Sequence, residues 1–491
     1  MAETASPKTD DRIAEAAASG DDLAALLDYV GQRPSLKERF ATGKELRRRV
    51  PRADHARYAP AANRADPVGV LESQNAHRVA KLVPVRFARM LASPFAFLRG
   101  SAAVMAADLA PTPVTGIEVQ ACGDMHVANF GLFGSAERNL VFAINDFDET
   151  HPGPWEWDLK RLAASAAVAA RFVGGDKAAA ADAARAIAGA YRKHIRRYAE
   201  AGYLAVWYER IDENAVLRAM SPKVRRRAAR VMDQAREKGN MRMLDRLTEE
   251  SQGEHRIIEE LPLIVRETHT EQRVPIAAAI NSFLKSYTES LMYDRRHLLS
   301  RYRIVDVARK VVGVGSVGTE CWIVLLMGLD NEDPLFLQVK EAGPSVLAPY
   351  AGTALPYRNE GRRVVVGQRM IQGSPDIFLG WGTVEAARTM DFYVRQLADL
   401  KGGVKFVEGE RETLTSLAEY WSLCGWALAL AHAKSGDAAL IAGYCGKSSE
   451  LDGAIARFAL AYEKQTEIDH DALAKARRSG RIRVASSEVV K

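Results

Sequence analysis

Gly123-Asp124-Met125-His126-Val127-Ala128-Asn129 and, one short hairpin later, Asn145-Asp146-Phe147-Asp148 are the stretches on which the reading of this chain turns. Each polar loop ends an apolar run with strand character, Ile117–Gln120 before the first and Leu140–Ile144 before the second. Alone, the first fragment reads as a common Gly-Asp turn and the second as an acidic helix cap. Together they supply what phosphoryl transfer needs. One carboxylate orients an acceptor hydroxyl and takes its proton, while an amide oxygen and a second carboxylate hold the magnesium that bridges the phosphates. On this reading Asp124 is the base, Asn129 and Asp146 are metal ligands, and Asp148 is a further candidate ligand.

Working outward, Gly313-Val314-Gly315-Ser316-Val317-Gly318 matches Gly-x-Gly-x-x-Gly, a pattern shared with dinucleotide-binding folds. The flanks decide between the two. A dinucleotide fold starts a helix at the last glycine, whereas here Cys321–Met327 follows, a β-rich run. Strand, glycine turn and strand form the hairpin that covers a triphosphate in kinases, so Gly313, Gly315, Ser316 and Gly318 are candidate phosphate contacts. Lys340 closes the apolar run Leu335–Val339 and sits where a kinase places its phosphate-pairing lysine. Its acidic partner is open: Glu341 points the opposite way along a strand, and Glu360 or Gln368 are possible. Asp391–Leu397 reads as the last strand of a small lobe, with Gln396 and Leu397 at the hinge where adenine would bind.

The surroundings set the fold class. Residues 1–75 are polar and alanine-rich, with Pro34, Pro51, Pro60 and Pro67 breaking the pattern, read as short helices and linker, and Val83–Leu109 reads as helical with Pro94 near a helix start. Residues 158–300 read as almost continuous helix. Strand signals follow at Lys310–Val314, Cys321–Met327, Leu335–Val339, Ile377–Leu379 and Phe392–Leu397, and helix returns at Glu412–Lys434 and from Leu451. Strands and helices segregate, which favours α+β. The expected organisation is an N-terminal extension (1–75), a large helical lobe with the acidic loops (76–300), a small antiparallel β lobe (301–400) and returning helices with a basic tail (401–491).

The 491 residues are 47% hydrophobic and 26% charged, which excludes a mainly disordered or fibrous chain. The net charge of +6 is small for this length, and the basic runs Lys44–Arg49, Lys223–Arg230 and Lys475–Arg483 read as solvated helix faces without a nucleic-acid motif. Four scattered cysteines without a Cys-x-x-Cys pair fit a reducing cytoplasm. The first residues carry no cationic stretch feeding an apolar core, and no run reaches the ~18 apolar residues of a membrane span. A cytoplasmic protein without a membrane segment is expected.

Longer motifs carry a resemblance. Ser93-Pro94-Phe95-Ala96-Phe97-Leu98-Arg99-Gly100, the two acidic loops, Trp155-Glu156-Trp157-Asp158-Leu159-Lys160-Arg161, the glycine loop, Leu337-Gln338-Val339-Lys340 and Ala431-His432-Ala433-Lys434 together resemble the bacterial domain-of-unknown-function 2252 family, over about residues 60–480. The resemblance implies membership of the protein-kinase-like superfamily and a nucleotide site, and names no acceptor. Asp146-Phe147-Asp148 is similar to the second motif of aminoglycoside and choline kinases, with Asp148 in place of the glycine of Asp-Phe-Gly. Cys122 stands where many kinases have histidine or tyrosine. Asp158 resembles the buried aspartate that steadies the catalytic loop in aminoglycoside-kinase-like folds, with a plain N-cap as the alternative. Arg99, in its Phe-Leu-Arg-Gly turn, is a candidate source of positive charge near the phosphates.

A kinase normally places its glycine loop and lysine before the catalytic loop, and this chain has them after it. Circular permutation reconciles the order, because a site needs proximity in space only. The expected protein is therefore a circularly permuted, kinase-like two-lobe phosphotransferase (or nucleotidyltransferase) using ATP and Mg2+ on an unknown hydroxyl or carboxylate. A nucleotide-binding pseudokinase without turnover is one alternative. A metal-dependent phosphohydrolase is another, although its two-metal sites want several histidines and no His-x-His pair occurs.

Overall fold

The computed structural model describes residues 34–237, 239–251, 253–270, 275–311, 313–353, 355–385, 389–397 and 400–486. Of the expected N-terminal extension, residues 1–33 lie outside these. The rest contains helices Leu36–Arg49 and Pro67–Asn75. The architecture is α+β: helices dominate, and the strands form small antiparallel sheets. No described helix is long and apolar enough to cross a membrane.

Helices Val83–Met90, Pro94–Gly100 and Ala102–Leu109 follow one another closely. Pro94 opens the second, with the Ser93 side chain accepting from the Ala96 amide at 3.1 Å. Strands β1 (Glu118–Ala121) and β4 (His151–Pro154) pair antiparallel and enclose the hairpin β2 (Phe130–Gly134) and β3 (Leu140–Ile144). The chain then enters helix Trp155–Phe172, which is buried on nearly every side. Its alanine-rich sequence lets helices Lys177–Ala199, Leu414–Ser435 and Glu450–Arg478 pack closely around it, and Trp155 stacks on Tyr191 with ring centroids 5.6 Å apart. This is the main core, and both acidic loops leave from its edge.

The second body is built on one antiparallel sheet. Its strands are β7 (Ile264–Val265), β8 (Arg303–Lys310), β9 (Cys321–Met327), β10 (Pro334–Ala342), β11 (Gly380–Val384) and β12 (Met390–Gln396), in spatial order β11-β12-β10-β9-β8-β7. A separate hairpin, β5 (Thr248–Ser251) and β6 (Glu254–Ile257), precedes them in the chain. The seven residues Pro334–Lys340 are buried because both sheet faces are covered. One face packs on helices Ile276–Ser290 and Tyr293–Leu299, the other on helix Asn240–Leu247.

Several expectations need correction. Residues 158–300 are not continuous helix: Gly253, at φ +80°, turns a hairpin there, and β7 joins the sheet. Because helices from Asn240 onward pack against that sheet, the β lobe begins earlier in the chain than residue 301. The strand expected at Lys310–Val314 ends at Lys310, where the glycine turn takes over. The one expected at Ile377–Leu379 starts at Gly380, because Asp376 accepts from the Phe378 amide and closes a turn. Helix Glu360–Ile371 was not foreseen.

Candidate active site

Asp158, on the first turn of the central helix, receives the Cys122 amide at 2.7 Å on one carboxylate oxygen and the Gly123 amide at 3.0 Å on the other. His432 Nε2 lies 3.3 Å from the same group. The loop after β1 is thus pinned from below. Gly123 has φ +81°, and a Cβ there would sit 2.3 Å from the Glu149 carbonyl oxygen, so only glycine permits this close approach of the two loops. The loops are joined again by Asn145 N donating to Asn129 O at 2.8 Å and by the Cys122 thiol donating to Asp146 O at 3.2 Å. Burial pushes that thiol well above its usual pKa and keeps it protonated as a donor.

Asp124 projects from the pinned loop. Both bonds from Arg161 go to Oδ1, with Nε at 3.0 Å and Nη2 closer, and Arg161 is itself buried. Oδ2 faces Gly315 of the glycine loop. Asn129 Nδ2 donates to the Asp124 carbonyl at 2.7 Å, which leaves the Asn129 side-chain oxygen as the group able to serve a ligand. Neighbouring His126 is buried, and burial pulls its pKa down to about 3, so the ring is neutral.

The β lobe closes over these groups. Lys340 Nζ lies 2.6 Å from Asp148 Oδ2 and 4.0 Å from Asp146 Oδ1. Tyr393 stands opposite Lys340 in the β10–β12 register and donates its hydroxyl to Asp148 Oδ1. Ser316 of the glycine loop donates to Asp148 Oδ2 at 3.2 Å. Burial alone would lower the lysine pKa, but Asp146 and Asp148 hold it raised and charged. Burial would likewise raise Asp148, yet Lys340 and the Tyr393 hydroxyl hold it well below the ordinary carboxylate range. Asp146 shifts the other way, pushed up by burial and by the charge of Asp148. Asp124, Asn129, Asp146, Asp148, Gly313, Gly315 and Ser316 line one cleft of about 280 Å³.

The partner of Lys340 is thus the second acidic loop itself. Glu360 pairs with Arg363, and Gln368 donates to Gln372 at 2.7 Å. Arg363, on the unforeseen helix, donates to the carbonyls of Asp148 at 2.9 Å, Thr150 at 2.6 Å and Gly343 at 2.7 Å, bolting the acidic loop to the β lobe.

The family model described as an uncharacterized protein conserved in bacteria, DUF2252, matches residues 78–476. The chain belongs to the DUF2252 family. Comparison with curated proteins and with solved structures finds no match.

The match takes in every candidate residue of this DUF2252 chain, but not all line the cleft: Lys340 is buried behind Asp148, and Gly318, Gln396 and Leu397 also lie outside the lining. Gln396 and Leu397 line a separate cavity of about 160 Å³ with Asn145, Arg395 and Lys401. Their amides are already engaged, Gln396 N by Asp376 and Leu397 N by Phe336 O at 3.0 Å. Gly318, at φ +91°, sets the end of the glycine turn and accepts from Val79 N at 2.7 Å. Among the described residues no cluster of three or more His, Cys, Asp or Glu is arranged to hold a metal. Asp146 Oδ1 accepts from the Asp148 amide at 3.4 Å, and Asp146 Oδ2 with the Asn129 side-chain oxygen suits magnesium, which binds through one or two protein oxygens and completes its shell with phosphates and water.

Arg161, Tyr393, Arg363 and Arg395, which donates to the Asn145 carbonyl at 2.7 Å, were missed as site residues. Arg161 had a readable signal: it lies one helical turn after Asp158, so both side chains face the same loop. The other three act through contacts between distant parts of the chain, for which the sequence offers no spacing rule.

Proposed function

We propose that the cleft is the active site of an ATP- and magnesium-dependent phosphotransferase, built from circularly permuted kinase-like lobes. The observation that carries this reading is the Lys340–Asp148 pair beneath the glycine loop, with Ser316 on the same carboxylate. A strand-end lysine, a glycine hairpin and an acidic metal loop converge there, as they do around nucleotide phosphates in kinases. The order strand, glycine turn, strand, lysine strand, helix and two further strands supports the permuted assignment.

In this mechanism Arg161 fixes Asp124 Oδ1, so that Oδ2 orients the acceptor hydroxyl and takes its proton as the oxygen attacks the γ-phosphorus. The bond from γ-phosphorus to the bridging oxygen breaks, and the nucleoside diphosphate leaves with the electron pair. Lys340 and the amides of Gly313–Gly318 hold the phosphates. Asp146 and the Asn129 side-chain oxygen would hold the magnesium, which when bound neutralises phosphate charge.

Magnesium-dependent transfer from labelled ATP to small hydroxylated metabolites and protein extracts tests the proposal. Asp124→Asn should lower turnover by ~10³-fold or more while nucleotide affinity stays within about twofold; full activity in that variant overturns the assignment. The saturation of both Asp148 oxygens favours a second reading, nucleotide binding without turnover. That reading predicts binding by the wild-type protein and no transfer to any acceptor.

A further inference from the structure

The cleft has a wall that the mechanism above does not use. Residues 74–102, ahead of the acidic loops, contribute Arg78, Arg86 and Arg99 to its lining. Arg78 is held by the Val317 carbonyl at 2.6 Å. Arg86 is held by Asn75, by Gln74 at 3.1 Å and by the Gly100 carbonyl at 2.9 Å. Every one of these partners is neutral. Arg99 has less still: its Nε is buried without a hydrogen-bond partner, and its recorded contact among the described residues is the face of Phe95, 5.8 Å from the ring centroid.

A guanidinium stays charged under all working conditions; Arg86 is buried while Arg78 and Arg99 are half-buried, and the nearby acids are Glu149, Asp148 and Glu341 at Arg78 and Glu149 at Arg86. Three in one wall is an arrangement that an oxyanion stabilises, and the planar fork of arginine suits bidentate contact with phosphate or carboxylate. Burial lowers the Arg99 pKa while Asp124, and then Asp146, oppose the shift. Those are the acids it faces. Lys340 faces Asp146 and Asp148. Both cations neighbour Asp146, Lys340 with Asp148 beside it and Arg99 with Asp124 beside it. The glycine loop packs against this wall: a Cβ on Gly315 would lie 3.1 Å from the Arg99 carbonyl oxygen and 4.0 Å from Asp124 Oδ2.

We propose that Arg99, backed by Arg78 and Arg86, forms an oxyanion subsite for the acceptor, distinct from the phosphate site of the nucleotide. The acceptor is then a small molecule carrying a phosphate or carboxylate near the hydroxyl that reaches Asp124. The role of this subsite rests on the phosphotransferase reading; its ability to bind an oxyanion does not.

Calorimetric titration of inorganic phosphate, and separately of acetate, into the full chain saturated with magnesium and a non-hydrolysable ATP analogue tests the subsite. The expected result is that one of the two anions binds alongside the analogue. Arg99→Gln should weaken it at least tenfold, Arg99→Lys should weaken it less, and both variants should keep the analogue's affinity within about twofold. Phosphate binding marks a phosphorylated acceptor, and acetate binding a carboxylated one. Displacement of the analogue by the anion, loss of analogue affinity in Arg99→Gln, or no binding of either anion overturns the proposal. If the analogue itself fails to bind, the phosphotransferase reading fails, while Arg99-dependent phosphate binding to the protein alone still supports an oxyanion site.

Discussion

Asp158 shows how much of the site depends on one buried side chain. Replacing it with alanine leaves the Cys122 and Gly123 amides without acceptors, each at about 1–3 kcal/mol. Asp158→Ala should therefore cost about 2–6 kcal/mol in denaturant unfolding, and Asp158→Asn, which keeps one acceptor oxygen, less. An unchanged unfolding midpoint in the alanine variant would remove the pinning role. A second buried group sets a pH dependence. His55 is sealed in the large lobe against the Tyr444 hydroxyl at 2.6 Å, and burial, with Lys160 nearby, pulls its pKa from 6.5 down to about 3. The unfolded chain protonates this ring at about pH 6.5 and the folded chain does not. Its contribution is thus present above pH 6.5 and is lost as the pH falls from 6.5 toward 3. Thermal melts across that window should show the wild type losing stability relative to His55→Gln, and parallel curves would contradict it. Asp124, Asp146 and Lys340 were legible in the sequence because local patterns mark them: acids ending apolar runs and a cation ending a strand. That Asp148 answers Lys340 was not legible, because the pair spans 192 positions and depends on how two lobes meet.

At the scale of elements, the sequence reads best where one pattern is unbroken. Cys321–Met327 is a run of apolar and β-branched residues, and the strand has those bounds. Glu360–Ile371 was unreadable for the opposite reason: Gly361 and Gly367 interrupt it, and Val364-Val365-Val366 looks like strand. Packing explains the glycines. A Cβ at Gly367 would lie 2.4 Å from Thr150 Cγ2, and Thr150 is itself fixed by donating to the Ala121 carbonyl at 2.8 Å. In a free helix Gly→Ala gains up to about 1 kcal/mol. Here the overlap with a fixed neighbour outweighs that, and Gly367→Ala should destabilise by about 1–3 kcal/mol. Stabilisation by this substitution would show that the helix stands off β4. The polar hairpin β5–β6 was misread as helix because its Glu- and Arg-rich sequence has no alternation of buried and exposed positions to betray a strand.

For the whole molecule, the order of the parts along the chain and their arrangement in space are separate facts. The acidic loops come from the first third and the lysine from the last, yet Lys340, Ser316, Tyr393 and Arg363 all converge on Asp148 and its backbone. These cross-lobe contacts account for why substitutions far apart in sequence should act on one binding event. The direct measurement is equilibrium titration of a magnesium-loaded, non-hydrolysable ATP analogue into the wild-type chain, Lys340→Met and Asp146→Asn, with melting curves to verify folding. Saturable binding by the wild type that disappears with EDTA, and a loss of at least tenfold in each variant (about 1.4 kcal/mol or more), is the predicted result. No binding by the wild type, or wild-type affinity in both folded variants, would contradict a shared nucleotide cleft.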